Sequence, residues 1–186
     1  DKHYLKSHYD VAEDNAIILA GNSGNIDAGI ESDSSHYISA RNFIQLNDMS
    51  LEENMDSASQ LIDIKNFAKL FMAQIYVNNS DWLSNNRRCW RNRAVYNPML
   101  PYGQDGLYRW FVYDLDHGFK TQNNNNLAPI LDDNMPGTWM FSALMSNDEF
   151  KIYWINLLAD NMNTTFLPGR LLSMIENLND IYNPEI

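Results

Sequence analysis

Cysteine and basic side chains are scarce in this chain of 186 residues, and long apolar runs are missing. The single cysteine, Cys89, cannot close an internal disulfide or build a multi-cysteine zinc site, and it leaves the redox compartment open. His3, His8, His36 and His117 show no metal-ligand spacing of the His-Glu-x-x-His kind. No run of 18 apolar residues occurs, so no membrane span is expected. Thirteen Lys and Arg face 24 Asp and Glu, a formal net charge of −11, which argues against non-specific nucleic-acid binding and reads as solubility. The polar opening Asp1-Lys2-His3-Tyr4 is not a signal peptide, and both ends read as cuts inside a longer protein. There is no internal repeat.

What is present is the material of one globular domain. Hydrophobic residues make up 45% and charged residues 20%, with five Trp and ten Tyr, a composition that disordered chains lack. Residues 1–15 are expected to start helical, and Ala16-Ile17-Ile18-Leu19-Ala20 suits a buried strand. Gly21-Asn22-Ser23-Gly24-Asn25 reads as a plain turn, since it lacks the order of a phosphate loop. Ser50 and Glu53 have capping-box spacing and predict a helix over 51–58. Asp63 is the expected N-cap of a helix whose Ile64, Phe67, Ala68, Phe71, Met72 and Ile75 form a core stripe. A polar loop, 78–86, and a short strand, 87–91, come next, and Asn123 to Asn126 read as another loop. Leu107 to Tyr113 is the clearest strand, rich in aromatics. Ser146 or Asn147 is placed to cap a later helix with Phe150, Trp154, Leu157 and Leu158. Pro168 opens a last helix with Leu171, Leu172, Ile175 and Leu178 on one face. The expected class is mixed, helices dominating, with a small central sheet or hairpin.

Two polar clusters flank that hairpin. Asp81 is followed five residues later by Asn86, and Asp114 and Asp116 are followed by Gly118. Protein kinases order their catalytic groups this way: an Asp that takes the acceptor's proton, an Asn five residues on that binds magnesium, a hairpin, then an Asp-x-Gly whose Asp binds magnesium at the phosphates. Hard oxygen ligands suit that ion, and the charge on transferring phosphates must be neutralised. On this template Asp81 orients or deprotonates the acceptor and Asn86 and Asp116 hold the metal. Asp114 is a second ligand, a supporting group, or simply the end of the strand. Taken singly, each cluster reads as an Asx-rich turn.

The longer words are more specific. Ala73-Gln74-Ile75-Tyr76, Asn79-Ser80-Asp81-Trp82, Asn85-Asn86 and Trp90-Arg91 resemble the signature of the CotH kinase family, and Tyr108 to Phe119 resembles its second block, a Trp-rich strand leading into Asp-x-Asp-x-Gly-Phe. Asn147-Asp148-Glu149-Phe150 and Ile181 to Glu185 are weaker matches. The resemblance covers residues 45–186, with 1–44 alike only in general character. It implies an α+β, divergent protein-kinase-like fold, mainly the helical C-terminal lobe. It implies an ATP- and magnesium- (or manganese-) dependent Ser/Thr kinase acting on an exported or coat protein, located outside the cell, at its surface or in a spore coat. Asp81 then matches the catalytic Asp, and Asn86 and Asp116 the metal ligands. His117 and Lys120 stand where the family often has Phe and Gly. A kinase also needs a small lobe with a phosphate-binding Lys and its Glu. Lys2, Lys6, Lys65, Lys69, Lys120 and Lys151 are poorly placed for that role, so the small lobe is expected to be missing in whole or part.

Arg87, Arg88, Arg91 and Arg93 form a basic cluster, able to hold phosphate or an acidic peptide but read as a solvated hairpin face. Trp82 and Trp90 read as core, Cys89 as a small buried hydrophobe, and the glycosylation triplets at Asn78 and Asn163 as chance. Two rival functions stand beside the kinase: a non-catalytic assembly module, and a metal-dependent hydrolase using Asp81, Asp114 and Asp116.

Overall fold

The computed structural model describes residues 1–83, 85–120, 123, 125–130 and 137–183; Ser84, Asn124, Pro184, Glu185 and Ile186 of the segments read above lie outside them. Strand β1 (Ala16–Ala20) buries both of its faces. Its side chains alternate, Ile17 and Leu19 to the main core, Ala16 and Ile18 to a smaller one. β1 pairs antiparallel with β2 (Ile26–Ala28) across the Gly21–Asn25 turn and, on its other edge, with β3 (Arg88–Asn92). β3 in turn pairs with β4 (Arg109–Phe111), giving the order β2-β1-β3-β4. The expected hairpin around residues 87–113 is therefore present, but β4 is three residues long. Tyr108, read as strand, instead makes a lone parallel bridge to Ile62.

Helix α1 (Lys2–Tyr9) sets Leu5 against Ile18 and Trp90 in the smaller core. The main core lies on the opposite face of the sheet, beneath α2 (Glu31–Leu46), α3 (Glu52–Ser59), α4 (Ile64–Tyr76), a short α5 (Leu127–Ile130), α6 (Trp139–Met145) and α7 (Asp148–Asn163). The last helix, α8 (Pro168–Tyr182), buries no residue, so its Leu172, Ile175 and Leu178 are exposed where a covered face was expected. The class is α+β.

Local chemistry explains most of the boundaries. The Asp63 carboxylate accepts from the Asn66 N–H (2.9 Å) and the Asn147 side chain from the Phe150 N–H (3.0 Å), capping α4 and α7 as expected. Ser50 does not cap α3: its hydroxyl and N–H both go to Asp48 Oδ1, and the helix starts at Glu52. α2 was not expected; its buried Tyr37, Ala40 and Ile44 follow a polar opening stretch, Glu31 to His36, that hides the apolar stripe.

Candidate functional site

Helix α4 runs from the sheet to the site. At its start, Asp63 holds Arg109 of β4 (2.8 Å) while Asp105 grips the same guanidinium with both oxygens (2.7 and 2.6 Å). Asn66 accepts from the Trp110 N–H (2.6 Å). The sheet and the helix are thus tied, which fixes where β4 delivers Asp114. At its far end, α4 stops at Tyr76, and Asn78 takes a left-handed turn (φ 53°).

Asn79 comes next and is fully buried. Its amide NH2 donates to Gln74 Oε1 and to the Asp114 carbonyl, both at 3.0 Å, and its Oδ1 accepts from the Asp81 N–H (3.1 Å). One side chain therefore joins α4, the Asp81 loop and the Asp114 loop. A second tie is the Phe119 N–H, which donates to the Val77 carbonyl (2.7 Å). Trp82, with no exposed surface, packs edge-on against Phe71 (4.7 Å) and anchors the loop in the core.

That anchoring leaves Asp81 half-buried at a cleft edge. Asn85 donates to its Oδ1 (2.8 Å) and Asn86 to its Oδ2 (3.2 Å). The expected Asp81–Asn86 pair is in direct contact. The amide NH2 of Asn86 is committed to the carboxylate, so the oxygen is the end suited to a cation.

Asp114 and Asp116 are exposed, Asp114 in a left-handed conformation (φ 51°). Their carboxyl groups act on each other's titration. Asp116 holds the Asp114 carboxyl above the usual range, with slight desolvation and the charge of Asp81 pushing the same way. The Asp116 carboxyl is lowered, first by Asp114, then by His117 (3.8 Å away) and Lys120. His117 and Lys120 stand at the positions where the signature departs. All four expected residues are gathered into one region, but among the described residues no hydrogen bond joins Asn86 to Asp114 or Asp116. Nor do three His, Cys, Asp or Glu side chains among the described residues come together as a metal-ligand set. The three-carboxylate hydrolase centre has no support from this arrangement.

Two clefts adjoin the site. A cavity of about 340 Å³ is lined by Asp81, Asn85 and Asn86 from one side and Asn22 and Ser23 from the other. A larger one, about 1210 Å³, runs over the outer face of the sheet past Trp90, Phe111 and Tyr113, and Arg88 borders both.

The model of the CotH kinase protein family matches residues 1–186. The chain belongs to the CotH kinase family. The match takes in residues 1–44, where the motif resemblance had thinned out. No curated protein and no solved structure matches the chain.

Within this CotH chain the basic cluster needs correction. Arg87 and Arg91 are buried, Arg93 pairs with Asp33 (2.7 Å) and Arg88 with Asp27. Period-2 alternation along β3 turns Arg91 inward with Cys89, so a run of charge became two inward and two paired side chains. Trp82, Trp90 and Cys89 are core, as expected. Burial pushes the Cys89 thiol up to about 12. Asn79 and Gln74 were quoted within the signature without a role. The usable signal was a glutamine buried on the otherwise apolar stripe of α4. Among the described residues no Lys forms an ion pair with a Glu.

Proposed function

We propose that this CotH domain is a divergent protein-kinase-like catalytic lobe that transfers the ATP γ-phosphate to a Ser or Thr of an exported or coat protein, outside the cell, at its surface or in a spore coat. The observation that carries the reading is the convergence of Asp81, paired with Asn86, and the Asp114–Asp116 loop through the buried Asn79. The exported setting rests on family membership alone.

The donor types suit magnesium or manganese: two neighbouring carboxylates, one raising the other's titration, and an amide oxygen on the Asp81 loop. Asp116, Asp114 and Asn86 would hold the ion, which when bound neutralises the phosphate charge. The chain's own contribution is positional. Asn85 and Asn86 fix both oxygens of Asp81, which keeps lone-pair capacity to accept the proton of an acceptor hydroxyl. The 1210 Å³ cleft, which reaches Arg88 and Tyr113 but is lined by none of Asp81, Asn86, Asp114 and Asp116, has room for a nucleotide.

The test is phosphate transfer from radiolabelled ATP, with magnesium or manganese, to the chain itself and to Ser-containing peptides. Asp81→Asn is expected to cut the rate by about a hundred to ten thousand fold while ATP binding persists. Transfer at an unchanged rate in that variant would sink the assignment. The absence of a Lys–Glu pair among the described residues favours a second reading, a non-catalytic assembly module. ATP binding that fails in calorimetry, with partner binding intact in Asp81→Asn, would establish it.

A further inference from the structure

The Gly21–Asn25 turn, read from sequence as a plain turn, hangs on the rim of the cleft that holds Asp81 and Asn86. Beneath it lie two guanidinium groups. Arg87, 6% exposed, donates to the Gly137 carbonyl (2.7 Å) and to Asn22 Oδ1. Arg41 donates to the Asn22 carbonyl and sits over the Trp139 ring at 5.3 Å. Each meets only neutral oxygens. The Nε of each is buried with no hydrogen-bond partner.

Of the other arginines on or next to the sheet, Arg88, Arg93 and Arg109 each have a carboxylate partner, while the buried Arg91 bonds to His36 and to the Asn92 and Ala94 carbonyls, away from this cleft. Neither Arg41 nor Arg87 is paired with a carboxylate among the described residues. A buried charge without a counter-charge is costly.

Arg87 also lines the open 340 Å³ cleft, with Ser23 opposite. Asp81 is the one carboxylate among the residues lining it, and each of its oxygens accepts one amide N–H, from Asn85 and from Asn86.

The geometry points to an oxyanion subsite in this cleft, between the Gly21–Asn25 turn and the Asn85–Arg88 segment, that takes a phosphate dianion with Arg87 as its counter-charge and Arg41 behind it. A guanidinium has five N–H groups, and Arg87 has more than its two bonds to neutral oxygens use. Ser23 supplies a hydroxyl from the turn. The inference does not depend on phosphoryl transfer, because phosphate binding is read with neither metal nor nucleotide present.

The experiment is titration of the chain with inorganic phosphate, followed by calorimetry and by phosphorus NMR, in the absence of divalent metal. Saturable binding is expected. Asn22→Asp places a carboxylate where Asn22 Oδ1 now meets Arg87 and supplies the counter-charge internally. Its phosphate affinity should fall tenfold or more. Arg41→Met, a change at a half-buried side chain, should weaken binding several-fold and serves if the first variant does not fold. No saturable binding to the parent chain, or unchanged affinity in a folded variant, overturns the subsite. Pyrophosphate and O-phosphoserine, compared at equal concentration, separate the two sources of the group. Tighter pyrophosphate binding assigns it to a nucleotide, tighter phosphoserine binding to a phosphorylated acceptor.

Discussion

The two loops that carry the candidate side chains are held in opposite ways. Around Asp81 the chain is nailed down: Asn79 and Trp82 have no exposed surface, and Asp81 is bonded at its N–H and at both carboxylate oxygens. From Asp114 to Lys120 most side chains face solvent, and the loop is held through backbone groups, the Asp114 carbonyl and the Phe119 N–H. An acid that must meet one hydroxyl gains from being fixed in advance. A pair of acids that must admit a polyanion with its cation gains from an open side. Under the phosphoryl transfer proposed above, fixing the backbone while leaving the carboxylates solvated would meet both needs.

Three changes would break or sharpen this contrast. The largest effect is expected from Trp82→Ala, which empties a core site beside Phe71. It should cost about 3–5 kcal/mol of global stability in urea unfolding, with the midpoint lowered for the whole domain. Asn79→Ala comes next. It leaves Gln74 Oε1, the Asp114 carbonyl and the Asp81 N–H without their partner, at a cost of about 1–3 kcal/mol. Hydrogen exchange should then accelerate in both loops together, whereas exchange confined to one loop would show that Asn79 does not couple them.

The smallest effect is expected from Asp114→Asn, and its sign depends on pH. The folded carboxyl of Asp114 titrates above its unfolded value and that of Asp116 below it, so the Asp114 contribution is lost as pH rises through its titration while the Asp116 contribution is lost as pH falls. The variant lacks the first of these losses. Its melting temperature should exceed the parent's at neutral pH, and the difference should vanish in acid below the ordinary Asp range. Added magnesium should erase the advantage by stabilising only the parent. A variant less stable than the parent at neutral pH without metal would contradict the repulsion argument.

How much of this was legible beforehand follows from range. Asp81, Asn86, Asp114 and Asp116 were singled out because their spacing is written in consecutive words, and the structure sets Asp81 against Asn86. Asp63 and Asn147 were found because a cap acts over three residues. Asn22 was not, since its bonds go to Leu83, 61 positions away, and to Arg87, 65 away. Arg87 was taken for a surface charge because linear proximity to Arg88 says nothing about which way each side chain turns. The length of β4 was overread because aromatic content marks burial as readily as pairing.

Cys89 stands at the middle of the β1–β3–β4 register, opposite Leu19 on one side and Trp110 on the other. It is wholly enclosed, and its thiol is held up to about 12. A thiol in that position is inert towards alkylating reagents until the strands separate. The rate of its modification is therefore a clock for sheet opening, built into the chain with no competing cysteine to blur the signal. The same silence lets a cysteine introduced on the Asp114–Lys120 loop be labelled alone, so that motion at the site and opening of the sheet can be timed in one molecule.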